Sequence, residues 1–260
     1  MNLTTHHTLP NIRRFFVPDP DFTIADSDLD RADLQVVIWE ADDEMLKHAL
    51  KAGIDIHLMN GIDLDNLPRP PLDELVETHA NYPEHKARFK KQRRLAKSWV
   101  HGTNYGGSAA TMARAAKIST AQSELLQKRW FAAHPGIKDW HNRTEQSLLT
   151  TRSVTNKFGF RKLYFDRIEA LLPQALAWIP QSTVAIYINM VWDQIEENVP
   201  EAQVLLQVHD SLVWQAPTHI FNRVARSIQD LASKIIVPYD DPLVIPLGVK
   251  SSVISWGDVD

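Results

Sequence analysis

Hydrophobic and polar positions change period along this chain, and each change marks an element. Residues 22–28 (FTIADSD) begin with apolar-leaning alternation and end in acids. That pattern predicts a short strand delivering carboxylates to a sheet edge. Leu34, Val37, Ile38, Ala41, Met45 and Leu46 follow helical spacing, which puts Asp28 at a strand-to-helix junction. Residues 53–57 read as a helix end and a turn, prolines from 68 to 71 forbid a helix there, and 72–78 suit a short one. Helices are expected over 91–107, 108–117, 121–131 and 136–149, then a β-hairpin over 153–165 turning near 157–159. A strongly apolar helix follows at 181–195. Residues 204–208 and 212–214 make a tight hairpin with Asp210 at its tip. An amphipathic helix over 220–236 and a strand over 243–249 complete the pattern, while residues 1–21, with Pro10, Pro18 and Pro20, predict a loop. Strand, helices, hairpin, helix, hairpin, helix and strand in that order predict an α+β fold: a small antiparallel sheet with a mainly helical insertion.

Composition changes this picture little. At 260 residues the chain suits one large domain or two lobes, and no run of some 18 apolar residues suggests a membrane partner. The N-terminal stretch lacks the apolar core of a signal peptide, and without cysteine there is no disulfide framework or thiolate metal site. A cytoplasmic location fits both. The net charge of −4 argues against a protein that coats nucleic acid electrostatically. That sum hides a local basic face, because 85–97 carries Lys86, Arg88, Lys90, Lys91, Arg93, Arg94 and Lys97 with no acid among them.

The chemistry concentrates in two places. Arg93, Lys97, His101 and Tyr105 recur every fourth residue, so on a helix they form one stripe that closes on Gly106 and Gly107. Two cations, an imidazole and a phenol ring in a row suit a ligand that is polyanionic at one end and flat at the other. A solvated helix face with an ordinary glycine cap accounts for the same spacing. Asp28 and Asp210 stand at strand ends far apart in sequence, each by itself an ordinary turn or cap residue. On adjacent strands they could share a pair of Mg²⁺ ions, which take oxygen ligands and are completed by water and substrate phosphates. His57 alone reads as a satisfied histidine, and Arg13 and Arg14 as phosphate ligands or a solvated rim.

Three segments resemble the signature motifs of family A DNA polymerases, the bacterial polymerase I and phage type. Residues 28–35 (DLDRADLQ) resemble motif A, 93–106 (RRLAKSWVHGTNYG) motif B on a helix of about 91–106, and 205–217 (LLQVHDSLVWQAP) motif C in a hairpin of about 204–216. The resemblance implies a palm in two parts, 1–48 and 153–260, flanking helical fingers at 49–152. It also implies Mg²⁺-dependent nucleotidyl transfer from a dNTP to a primer 3′-hydroxyl, with two ions and Mn²⁺ as a substitute. Asp28, Asp210 and the Leu29 carbonyl would hold the ions. Arg93 and Lys97 would clamp the triphosphate, with Lys97 also protonating the pyrophosphate, and His57 would reach the phosphates from the other side. His101 would face the sugar, Asp33 would gate against a ribose 2′-hydroxyl, and Tyr105 would pack at the base end. Gln181, His209, Arg161 and Gly106 would touch the DNA primer–template.

The departures from the family pattern are specific. His101 stands where the family usually has Phe or Tyr, Asp33 where it has Glu, and Ser211 where a third acid follows the His-Asp pair. Altered sugar selection is therefore expected, and the His-Asp-Ser form also resembles single-subunit phage RNA polymerases. Neither the family's thumb nor its exonuclease domain is expected in this chain. That suits a split subunit working with a thumb- and exonuclease-bearing partner in a bacterial or phage-infected cell, an excised domain, or a minimal enzyme. The rival readings are an RNA-synthesising or primer-making relative, a non-catalytic subunit that binds DNA or a polymerase, and a two-metal nuclease, which would have no use for the triphosphate stripe.

Overall fold

A computed structural model describes residues 12–166 and 168–259, so the first eleven positions of the loop read over 1–21 lie outside the described residues. After a 3₁₀ turn at Ile12–Phe15 come β1 (Phe22–Leu29), α1 (Ala32–Ala41), α2 (Glu44–Lys51), α3 (Ile56–Leu64), α4 (Tyr82–Arg88), α5 (Lys90–Asn104), α6 (Ala109–Ala116), α7 (Thr120–Ala133) and α8 (Pro135–Thr151). The short strands β2 (Ser153–Thr155) and β3 (Arg161–Leu163) precede α9 (Ile168–Asn198), β4 (Gln203–Val208), β5 (Ser211–Pro217), α10 (Phe221–Ala232) and β6 (Leu247–Ser252). The fold is α+β, and its chain forms two compact units, one of residues 12–33, 157–159 and 181–259, the other of 34–156 and 160–180.

The first unit is built on an antiparallel sheet of order β4-β5-β1-β6. β1 is flanked on both sides, with Asp28 opposite Ser211 on β5 and Gly248 on β6. Period-2 alternation turns Ala25, Ser27 and Leu29 into the protein, and the opposite face begins with buried Ile24 before reaching Asp26 and Asp28. Trp214 of β5 is fully buried, donates from Nε1 to Ser27 Oγ at 2.7 Å and stacks on Phe221 of α10. Tyr187 of α9 anchors the other side of this core. Its hydroxyl donates to the Ala232 carbonyl at 3.0 Å and accepts from the Ile245 N–H at 3.2 Å, satisfying a phenol that burial would otherwise penalise.

The second unit is helical. Val37 and Ala41 of α1 pack with Ile137, Trp140 and Leu148 of α8 and with Leu171, Ala175 and Leu176 of α9. This shared core explains why 34–48 and 160–180 cluster with the helices, so that the units part at other positions than 48 and 152. Helix α3 lies on α5, where a Cβ on Gly61 would come within 2.5 Å of the Gln92 backbone. Glycine is required by that approach.

Several boundaries differ from those the periodicity suggests. The helical pattern over 34–46 is two helices, because Asp42 takes φ +52 and Asp43 caps α2, accepting from the Leu46 N–H at 2.9 Å. Of the helix end and turn read at 53–57, residues 53–55 form the turn and the Asp55 cap while 56 and 57 already belong to α3, and 72–78 holds only a 3₁₀ turn at Leu72–Leu75. The helix expected at 181–195 runs from Ile168 through both Pro173 and Pro180. Proline removes one helical hydrogen bond and crowds a carbonyl, but burial of Leu176 and Ile179 before Pro180 and of Val184 and Tyr187 after it holds the helix. The last strand begins at Leu247 rather than 243, since Pro246 has no N–H to give a ladder, and the helix expected to 236 ends at Ala232. No helix among the described residues is long and apolar enough to cross a membrane.

Candidate functional site

The sheet carries the acidic part. Val208 pairs with Ser211, leaving His209 and Asp210 as a two-residue loop, and His209 meets the tight turn by adopting φ +56. Ser211 donates its hydroxyl to the Val208 carbonyl at 3.1 Å and so closes the hairpin across its own turn. The next strand is tied in where the Leu29 N–H donates to the Asp210 carbonyl at 3.1 Å. Asp28 and Asp210 thereby line one cleft of about 440 Å³. Asp26, Asp30, Lys250 and Arg13 share its walls.

The electrostatics of this cleft are those of crowded acids. Partial burial pushes the Asp28 carboxyl up to about 6, followed by repulsion from Asp210, Asp26 and Asp30, against the attraction of Lys250. Asp26 is held from one side, accepting from Trp256 Nε1 at 2.7 Å, with the Arg13 guanidinium over that indole ring. Its other oxygen, Oδ1, is buried and has no hydrogen-bond partner. Like-charged carboxylates and an orphaned buried oxygen suit a hard divalent cation. Among the described residues no three such side chains converge on a point, so an ion here would take Asp28 and Asp210 and complete its shell with carbonyl, water or substrate oxygens. Asp26 and Lys250 were not singled out from sequence; the acidic end of the 22–28 pattern was the available signal for Asp26.

The helical unit carries the basic part. On α5, Arg93 is half-buried, Lys97 and His101 are exposed, and Tyr105 is half-buried at the C-cap. The His101 and Tyr105 rings meet edge to face at 4.4 Å. Gly106 follows at φ +76, a left-handed turn that ends the helix and packs its Cα edge near Pro173 and Leu176.

Arg93 has a partner the sequence reading left out. Its Nε donates to Asp55 Oδ2 at 2.6 Å, and the Tyr82 hydroxyl donates to the same oxygen at 2.8 Å. Asp55 Oδ1 accepts from the Leu58 N–H at 3.0 Å, capping α3. Burial pushes this carboxyl up, but the bonds from Arg93, Tyr82 and Leu58 outweigh it and hold Asp55 below its ordinary value. The signal was a cap aspartate directly ahead of the apolar run at 56–64.

The remaining predicted residues fall as follows. His57 is half-buried in the first turn of α3, the helix that packs on α5. Asp33 is half-buried in the first turn of α1. Leu29 is buried in β1, and exposed His209 lines the acidic cleft. Gln181 is exposed on α9 and does not line that cleft. Arg161 on β3 donates from Nε to Ser153 Oγ at 3.0 Å.

Comparison with known proteins agrees with this architecture. DNA polymerase I of Chloroflexus aurantiacus is 29% identical over 252 residues, covering 93% of this chain and 25% of its own length. The thermostable DNA polymerase I of Thermus aquaticus is 25% identical over 252 residues, covering 93% of this chain and 28% of its own length. The chain thus spans about a quarter of the length of the curated relatives it matches. Its fold is similar to the POL domain of Pol1 from M. smegmatis, solved in complex with DNA primer-template and dNTP. The TM-score is 0.77 at 22% identity, over 95% of this chain and 42% of that one. The model of DNA polymerase family A matches residues 4–258, nearly the whole sequence, and to that family the chain belongs.

Proposed function

We propose that this chain is the palm and fingers portion of a template-directed DNA polymerase. The sheet-bearing unit is read as the palm and the helical unit as the fingers. The observation that carries the proposal is the pairing of Asp28 with Asp210 in one cleft whose carboxylates repel one another. In the reaction a primer 3′-hydroxyl gives up its proton to solvent as its oxygen bonds to the α-phosphorus of a dNTP, and the bond from that phosphorus to the β-phosphate oxygen breaks to release pyrophosphate. Asp28, Asp210 and the Leu29 carbonyl would hold two Mg²⁺ ions, or Mn²⁺ in their place. When bound, these neutralise charge on the attacking and leaving oxygens.

The chain's own residues do the rest. Arg93, aimed by Asp55, and Lys97 one turn later bind the triphosphate, and Lys97 gives a proton to the departing pyrophosphate. His57 adds to the phosphate contacts. Tyr105 supports the templating position, while His101 and Asp33 set the tolerance for the sugar. Gln181, His209, Arg161 and Gly106 contact primer or template. Further grip on the duplex is assigned to polypeptide outside these residues, and the setting is a bacterial or phage-infected cytoplasm.

Primer extension on a recessed DNA template tests the proposal. Extension should require Mg²⁺ or Mn²⁺ and fall at least a thousandfold in Asp28→Asn or Asp210→Asn. Extension that survives either substitution overturns the site assignment.

A further inference from the structure

The basic run at 85–97 is only partly used by the triphosphate stripe. Lys91, Arg94, Leu95 and Ser98 recur at the spacing of a single helical face, roughly 110° around α5 from Arg93, Lys97 and His101. That face forms one wall of a second cavity of about 710 Å³, closed by the end of α4 and the end of α6. Arg88, Lys90, Lys91, Arg94 and Lys117 line it, and no carboxylate does. Among the described residues none of these five cations makes an ion pair, although Arg88 lies over the Phe89 ring at 5.0 Å. Between them the lining is apolar, with Leu95, Ala115, Ala116 and Ile118.

This arrangement works against the stability of its own helix. Lys90 with Arg94, and Lys91 with Arg94, are like-charge pairs at i,i+4 and i,i+3. They occupy the first turns of α5, where the helix dipole disfavours cations, and the N-cap Phe89 offers no side-chain oxygen. A purely structural surface on a chain of net charge −4 would have acids interspersed here.

We propose that this cavity is a phosphate-binding site for single-stranded nucleic acid, separate from the nucleotide stripe. Cations from α4, α5 and the residue after α6 border a hollow that no carboxylate lines, which suits a chain of phosphodiesters, and the apolar residues between them give bases a surface to rest on. A flat membrane suits a convex basic face better than a hollow with an apolar floor. The inference rests on the polymerase reading and adds to it a hold on unpaired strand.

Binding of labelled oligo-dT to the 260-residue chain, without dNTP or divalent ion, tests it. The triple variant Lys91→Gln, Arg94→Gln, Lys117→Gln should bind at least tenfold more weakly. The slope of log affinity against log salt should fall by about 2, from roughly 0.7 per lost phosphate contact. Relief of the like-charge pairs should leave its melting temperature equal or higher, and single-nucleotide incorporation at saturating primer–template should be unchanged. An unchanged affinity and salt slope would overturn the proposal. So would equal competition by polyglutamate, which would mark an acidic-peptide site, or by free nucleoside triphosphate, which would mark a mononucleotide site. Because the readout needs no catalysis, it stands whether or not the chain extends a primer.

Discussion

Asp55 is fully enclosed and accepts from Arg93, Tyr82 and a backbone N–H, so Arg93 serves the fold as well as any ligand. Arg93→Ala strands that carboxylate without its counter-charge and should cost about 3 kcal/mol in urea unfolding. Part of the loss should be recovered as pH falls and Asp55 protonates. Asp28 has the opposite character. Its folded-state value, raised to about 6 from 3.8, means the folded protein holds a proton the unfolded chain has released. That contribution to stability is present below about pH 4 and is lost as pH rises through 6. Asp28→Asn should therefore melt a few degrees higher than wild type in chelator at pH 8, with the difference vanishing near pH 4. Scanning calorimetry across that range checks it. Added Mg²⁺ should raise the wild-type melting temperature more at pH 8 than at pH 5.

Elements position these residues through contacts the sequence shows unevenly. Gly61 lets α3 approach α5 until a Cβ would lie 2.5 Å from the Gln92 backbone, one residue from Arg93. Gly61→Ala should cost about 2 kcal/mol, read by chemical denaturation. His141 on α8 donates from Nε2 to the Asn104 carbonyl at the end of α5, 2.7 Å away. Burial pushes its pKa down to about 4, against the pull of that bond. Between pH 6.5 and 4 the unfolded chain binds the extra proton, so stability falls with acid by up to about 3 kcal/mol from this group. His141→Gln, which can still donate to Asn104, should flatten that part of the pH dependence. The strands, the motif-bearing helix and the hairpin at Asp210 were legible because period and turn residues are local signals. The break at Asp42 and the passage of α9 through Pro173 and Pro180 were not, since a left-handed residue and buried packing decide them. Asp28 and Asp210 were readable as a pair. The Asp55–Arg93 bond was not, because it depends on how closely α3 meets α5.

On the scale of the whole chain, the fold brings Asp28 of β1 and Asp210, in the turn leading into the neighbouring β5, from distant parts of the sequence into one cleft. It presents Arg93, Lys97, His101 and Tyr105 along one helix. Net charge conveys none of this, since 28 basic and 32 acidic residues spread over the whole chain nearly cancel in the sum. The central claim is templated nucleotidyl transfer at the two aspartates. Its most direct test is single-nucleotide incorporation with Mg²⁺ on four recessed templates that differ only in the first unpaired base. The expected result is addition of the complementary dNTP on each, stopped by chelator and by Asp28→Asn or Asp210→Asn. Addition that ignores the template base, or that persists without either carboxylate, would contradict it.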